Sequence, residues 1–136
     1  YYGERGGVRV YDDYAHHPAE IRATLEGAYR MPHKKLWCVF QCNSYTRAKT
    51  LFTGTVTCFN QADEVLVPDI YPGREVDDGT VHAKDMVAAI NASGGNATYL
   101  GTFESIRAYL VAHANPGDLV ITLGSGDVYK QTKKLL

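Results

Sequence analysis

Between Tyr11 and Ile21 the chain reads YDDYAHHPAEI, a run with two carboxylates and two imidazoles side by side. Asp12 and Asp13 can accept hydrogen bonds from a sugar hydroxyl or a metal-bound water, or serve only as turn and cap acceptors. His16 and His17, with Tyr14 beside them, can donate to a phosphate or a developing negative charge at a helix start, or merely fill the approach to that helix. Zinc ligation is disfavoured, because no third His or Cys follows at a suitable spacing. Three further blocks carry similar chemistry. FQCNSYTRAKTLF supplies Gln41, Asn43, Ser44, Tyr45 and Arg47, and DIYPGRE supplies Asp69, Tyr71, Arg74 and Glu75. The planar donor fork of Arg47 or Arg74 suits a carboxylate, with surface ion pairing as the competing use. Tyr45 and Tyr71 are either packing residues with a wet hydroxyl or substrate contacts. LGSGDVY supplies Gly124, Gly126 and Asp127, where bare backbone can approach a neighbouring domain or ligand closely. It is not a dinucleotide fingerprint, since Tyr129 replaces the third glycine, and GxxxxGK[ST] is absent from the chain.

The elements that must position these groups follow from periodicity. Gly7 to Asp12 alternates as a strand. Ile21, Leu25, Ala28 and Tyr29 recur at helical spacing between Pro18, at a first-turn position, and Pro32. LWCVF (Leu36 to Phe40), EVLVP (Glu64 to Pro68), Ala97 to Leu100 and DLVITL (Asp118 to Leu123) read as further strands, the most apolar of them buried on both faces. Helices are expected from Thr46 or Arg47 to Asn60, from about Asp78, Gly79 and Thr80 to the Gly94-Gly95 pair, from a Thr102 cap through Leu110, and from Asp127 onward. Strand-helix alternation with short connections predicts an α/β fold with a Rossmann-like, mainly parallel sheet and helices on both faces, a three-layer α/β/α sandwich.

At 136 residues and 45% hydrophobic content the chain suits one domain, 1–136, with a real core. A net charge of -1, from fourteen basic and fifteen acidic residues without long runs, argues against nucleic acid or an acidic membrane as partner. Three cysteines without CxxC spacing suit a reducing, cytoplasmic setting. No apolar run approaches the roughly 20 residues that cross a bilayer. The start YYGERGGVRVYDD enters a strand almost at once and reads as the cut end of a longer protein.

In parallel α/β sheets ligands gather beyond the carboxyl ends of the strands, and all four polar blocks follow predicted strands there. Taken in order, YDDYAHHPAEI, FQCNSYTRAKTLF, DIYPGRE and LGSGDVY resemble the C-terminal domain of the Mur ligases, over nearly the whole chain from Tyr11 to Tyr129. The resemblance implies a three-domain enzyme of peptidoglycan synthesis, with a UDP-sugar domain and a central ATPase domain that are missing from this chain. ATP, with Mg2+ held mainly by the central domain, would phosphorylate the carboxylate of UDP-N-acetylmuramate. The amine of L-alanine would then attack the acyl phosphate, and the tetrahedral intermediate would collapse to an amide. By motif match, Asp12, His16 and His17 would stand near the reacting phosphate, and Asp12, Asp13, Tyr14 and His16 would face the nucleotide. Asn43, Ser44, Tyr45, Arg47, Asp69, Tyr71, Arg74 and Glu75 would receive or support alanine. The family commonly reads Phe-Gln-Pro-His where Cys42 and Asn43 stand here. Asn43 cannot carry a histidine's charge, so Arg47 takes more of the carboxylate-binding role. The isolated domain is expected to be inactive. A relative that attaches a whole murein peptide and a stand-alone flavodoxin-like binding module are the alternatives.

Overall fold

The computed structural model describes residues 1, 3–72, 79, 81–124 and 128–132. Asp78, Thr80, Arg74, Glu75, Gly126 and Asp127 therefore lie outside the described residues. In chain order the elements are β1 (Gly3–Arg5), β2 (Val8–Asp13), α1 (Pro18–Arg30), β3 (Leu36–Phe40), α2 (Tyr45–Thr50), α3 (Phe52–Val56), β4 (Glu64–Pro68), α4 (Ala83–Ala92), β5 (Ala97–Gly101), α5 (Phe103–His113), β6 (Leu119–Leu123) and α6 (Val128–Thr132).

The two most apolar strands sit where burial on both faces is available. β3 and β6 are neighbours in a sheet ordered β1-β2-β6-β3-β4-β5, and all five residues of each are buried. Every pairing is parallel except β1 with β2. Alternate side chains point to opposite faces. Leu36, Cys38 and Phe40 join Ile21, Leu25, Phe59, Met86 and Ile90 in one core, so α1, α3 and α4 cover that face. Trp37 and Val39 join Ile106, Leu110 and Val128 in the other, so α5 and α6 cover the opposite face. Both cores are needed, because a parallel sheet leaves no face for water. The expected three-layer α/β/α sandwich is the observed architecture.

Trp37 is fully buried, and its indole nitrogen donates to Asp118 Oδ2 at 3.0 Å. Asp118 is itself 2% exposed and also accepts from the Asn115 backbone nitrogen at 2.9 Å, which keeps the buried carboxylate satisfied. It lies just ahead of β6 rather than within it.

Three local departures have local causes. A strand unanticipated from the sequence, β1, precedes the first expected one, across a turn in which Gly6 and Gly7 have φ of 58° and 82°. Two successive positive φ angles match the twist of a tight hairpin, and the Gly-Gly pair was its signal. The helix expected over Thr46 to Asn60 is two short ones broken at Leu51, where φ is -104° and ψ 12°. The segment TLFTGTVT is rich in β-branched residues and contains Gly54, all poor helix formers. The Thr57 hydroxyl also donates to the Gly54 carbonyl at 2.9 Å as α3 ends. Finally, α4 begins later than expected, capped by His82, whose Nδ1 accepts from the Lys84 nitrogen at 3.0 Å while Asp85 accepts from the His82 nitrogen at 2.9 Å. Pro18 at the start of α1, the Thr102 cap of α5 and the glycines after α4 stand where the sequence put them.

Candidate active site at the strand ends

Parallel pairing brings the strand ends to one rim. Asp12 lies opposite Thr122 and Asp13 opposite Leu123, while Phe40 lies opposite Leu123 from the other side. The Gln41 nitrogen extends this ladder by donating to the Leu123 carbonyl at 3.1 Å, and its side-chain amide reaches the Asp69 carbonyl, also at 3.1 Å. Asn43 forms a parallel bridge with Tyr71, whose nitrogen donates to the Cys42 carbonyl at 2.9 Å. The Asp69 nitrogen in turn donates to Gly101 at 2.8 Å. The described parts of the four blocks thus stand in the spatial order Asp12, Gly124, Gln41, Asp69 along a single edge.

Asp12 is the most firmly held group there. Its Oδ1 is 2.6 Å from the Thr122 hydroxyl and 3.1 Å from that of Thr132, and the two hydroxyls are 2.7 Å apart. Both threonines are 0% exposed, whereas Asp12 is only half-buried. Among the described residues its Oδ2 has no hydrogen-bond partner, so one oxygen is fixed and the other is available to a ligand. Asp13 behaves differently: its Oδ1 accepts from the Ala15 nitrogen at 2.8 Å, which shapes the turn. Tyr14 is exposed and its ring meets that of His16 edge-on at 5.3 Å. His16 Nδ1 is 2.9 Å from the Tyr14 carbonyl. A carbonyl only accepts, so this contact puts the proton on Nδ1 and leaves Nε2 as an acceptor. Glu20 Oε1 lies 3.8 Å from the same nitrogen. His17 caps α1, its backbone nitrogen donating to Glu20 at 3.3 Å, and its side chain is exposed.

The second group divides between two depressions. Tyr45 and Asp69 line one of about 300 Å³ together with Ile70, His82, Ala83 and Tyr99. Ser44 and Arg47 line another of about 360 Å³ with Thr46, Thr50 and Leu51. Ser44 is the N-cap of α2. Arg47 is close enough to Cys42 to favour its thiolate, but burial wins and pushes that thiol up to about 12. Cys42 is therefore a core residue, as are Cys38 and Cys58. Gly124, with φ of 140°, lies so close to β3 that an added Cβ would stand 2.5 Å from the Gln41 carbonyl oxygen. The backbone it approaches is thus this chain's own.

Four residues of the rim were missed in the sequence. Thr122 carried a signal, a lone hydroxyl inside an apolar strand, which implies a buried partner. His82 carried another, since an acidic residue three positions later marks a capping box. Thr132 and Tyr99 carried none. The Tyr99 hydroxyl donates to Asp69 Oδ1, and that hydrogen bond raises its pKa first, with burial adding to the shift. His82 Nε2 lies 4.0 Å from the same carboxylate oxygen. Among the described residues no three His, Cys, Asp or Glu side chains are grouped to hold a metal ion, and no helix is long and apolar enough to cross a membrane.

The arrangement offers an oriented carboxylate and an imidazole beside a helix start, facing a stretch of hydrogen-bonding groups across the β6 end. The family model described as "Mur ligase, glutamate ligase domain" matches residues 1–126. A UDP-N-acetylmuramate–L-alanine ligase of Alkaliphilus metalliredigens is 48% identical over 98% of this chain, and one of Clostridium botulinum is 43% identical over 94%. The chain spans only 29% and 28% of the lengths of those relatives. Among solved structures, a murein peptide ligase from Psychrobacter arcticus superposes with a TM-score of 0.74 at 26% identity, over 98% of this chain and 28% of that one. A UDP-N-acetylmuramate-alanine ligase from Thermotoga maritima superposes at 0.66 with 24% identity, over 99% and 27%, a likeness of fold. The matched residues take in all six strands of the sheet, and the chain belongs to that family: it is a Mur ligase, glutamate ligase domain.

Proposed function

We propose that this chain is the C-terminal, amino-acid-receiving part of a cytoplasmic, ATP-dependent enzyme that joins L-alanine to UDP-N-acetylmuramate in peptidoglycan synthesis. The observation that carries this reading is the convergence of Asp12, His16, Gln41, Asn43 and Asp69 on one rim of a chain 43–48% identical to such ligases. In this reading the muramate carboxylate attacks the γ-phosphorus of ATP and ADP leaves. The alanine amine, once deprotonated, then attacks the acyl carbon, and phosphate departs as the amide forms. Asp12 and His16 face the nucleotide across the cleft, with Asp12 Oδ2 and His16 Nε2 as the atoms that accept protons or hydrogen bonds. Tyr45, Asp69, Tyr71 and Arg47 face the incoming amino acid, with Arg47 as the donor to its carboxylate. In this reading Mg2+ and the phosphates of ATP are held mainly by a central ATPase domain outside this chain.

A second reading, a ligase for a whole murein peptide, is favoured by the superposition at 0.74. One experiment separates the two. The complete enzyme carrying this chain is given ATP and UDP-N-acetylmuramate with either L-alanine or a tripeptide, and phosphate release and product mass are followed. Phosphate release dependent on L-alanine is expected, with none from the 136-residue chain alone. Turnover with the tripeptide and none with alanine overturns the first reading in favour of the second.

A further inference from the structure

The triangle of Asp12, Thr122 and Thr132 joins the first rim residue to the C-terminal helix, and its proton bookkeeping is restrictive. Thr122 Oγ1 is 2.6 Å from Asp12 Oδ1 but 3.4 Å from the Tyr11 carbonyl, so its proton goes to the carboxylate. Thr132 Oγ1 has three acceptors in reach: Asp12 Oδ1 at 3.1 Å, Thr122 Oγ1 at 2.7 Å and the Val128 carbonyl at 3.1 Å. A threonine needed only by its own helix is satisfied by the carbonyl four residues earlier. The additional reach of Thr132 into the Asp12 pair has no use for α6 itself. Donation to Asp12 saturates Oδ1 directly, and donation to Thr122 polarises the shorter bond. With the Thr122 proton on the carboxylate, the 2.7 Å separation of the two hydroxyls favours the Thr132 proton between them over the Val128 carbonyl, so the carboxylate plane is held and Oδ2 is the oxygen left for a ligand. The helix is anchored at its other end by Val128, fully buried in the second core, and α6 packs on both β2 and β6.

We propose that Thr132 is a positioning residue for Asp12, through which helix α6 sets the direction of the Asp12 carboxylate toward the nucleotide. The proposal rests on the ligase reading for what Asp12 faces, but the positioning itself is a property of this chain. In the complete ligase, Thr132→Val, which keeps the shape and removes the hydroxyl, lowers kcat/KM for ATP about tenfold or more and leaves KM for L-alanine within about twofold. Thr132→Ser, which restores the hydroxyl, returns kcat/KM for ATP to within about threefold of the parent. Unchanged kinetics in Thr132→Val, or equal damage in Thr132→Ser, overturns the proposal, the second because it assigns the effect to the methyl group. Should circular dichroism show Thr132→Val unfolded, the ratio of Thr132→Ser to Thr132→Ala isolates the hydroxyl in the same way. If the parent enzyme shows no ATP-dependent ligation, the ligase reading fails separately. Crystal structures of this chain and its Thr132→Ala variant then decide the positioning: a turned Asp12 carboxylate supports it and an unmoved one overturns it.

Discussion

Replacing Gly124 by alanine tests how tightly the rim is built. The added Cβ would stand 2.5 Å from the Gln41 carbonyl oxygen and 3.2 Å from Val128 Cγ1, at a φ of 140° that side chains rarely adopt. Real Cβ atoms essentially never come within 3.0 Å of such an atom, so β3 and the segment after β6 must separate by at least about 0.5 Å. The atom that must move is backbone, and it belongs to the residue that links Leu123 to Asp69 by hydrogen bonds. Overpacking of this kind costs about 1–3 kcal/mol, and the backbone conformation about 1–2 more, giving about 2–5 kcal/mol in total. That is a large share of the roughly 5–15 kcal/mol by which a domain is stable. At about 4 °C per kcal/mol, the melting temperature falls by about 8–20 °C. Thermal and urea melts followed by circular dichroism measure this. Gly6→Ala is the control, since its φ is 58° but nothing lies within 4 Å of the new atom. Its cost is limited to the backbone conformation, about 1–2 kcal/mol. Equal melting temperatures for Gly124→Ala and the parent, or a Gly6→Ala effect as large, would refute the claim that close approach to Gln41 requires glycine.

Asp12→Asn keeps an oxygen for both threonine hydroxyls and removes the charge; the complete enzyme is expected to lose kcat by at least about tenfold while the domain melts within about 3 °C of the parent. Asp118→Ala strands the Trp37 N–H in the interior and removes the acceptor of the exposed Asn115 N–H, so the urea midpoint drops by the equivalent of about 1–3 kcal/mol, and no shift would show that water replaces the carboxylate. Cys42 makes stability fall at alkaline pH. Its thiol keeps its proton to about 12 in the folded chain against 9.0 unperturbed, so its contribution is whole below pH 9 and is lost as pH rises toward 12. Denaturant midpoints between pH 8 and 11 should therefore decline less steeply in Cys42→Ala, and an identical slope would argue that the thiol is ionised in the folded state.

The alternation of strand and helix, the doubly buried strands β3 and β6, the Pro18 start of α1 and the Thr102 cap were all legible in the sequence, because each depends on neighbours within a few positions. So was the enrichment of Asp, His, Tyr and Arg after successive strands, since parallel sheets put every strand's carboxyl end on the same side. Local pattern was less reliable where propensity was divided, as at Leu51, where the helix breaks amid β-branched residues. The rest required the folded chain. Strand order places β6 between β2 and β3, and no local signal states that order. It is this insertion that sets Thr122 opposite Asp12 and Gly124 against Gln41. The meeting of Asp12 with Thr132, 120 residues away, depends on a helix packed by its apolar face. Composition and periodicity specify which surfaces must be hidden; which distant side chains then touch is decided only when those surfaces are packed together.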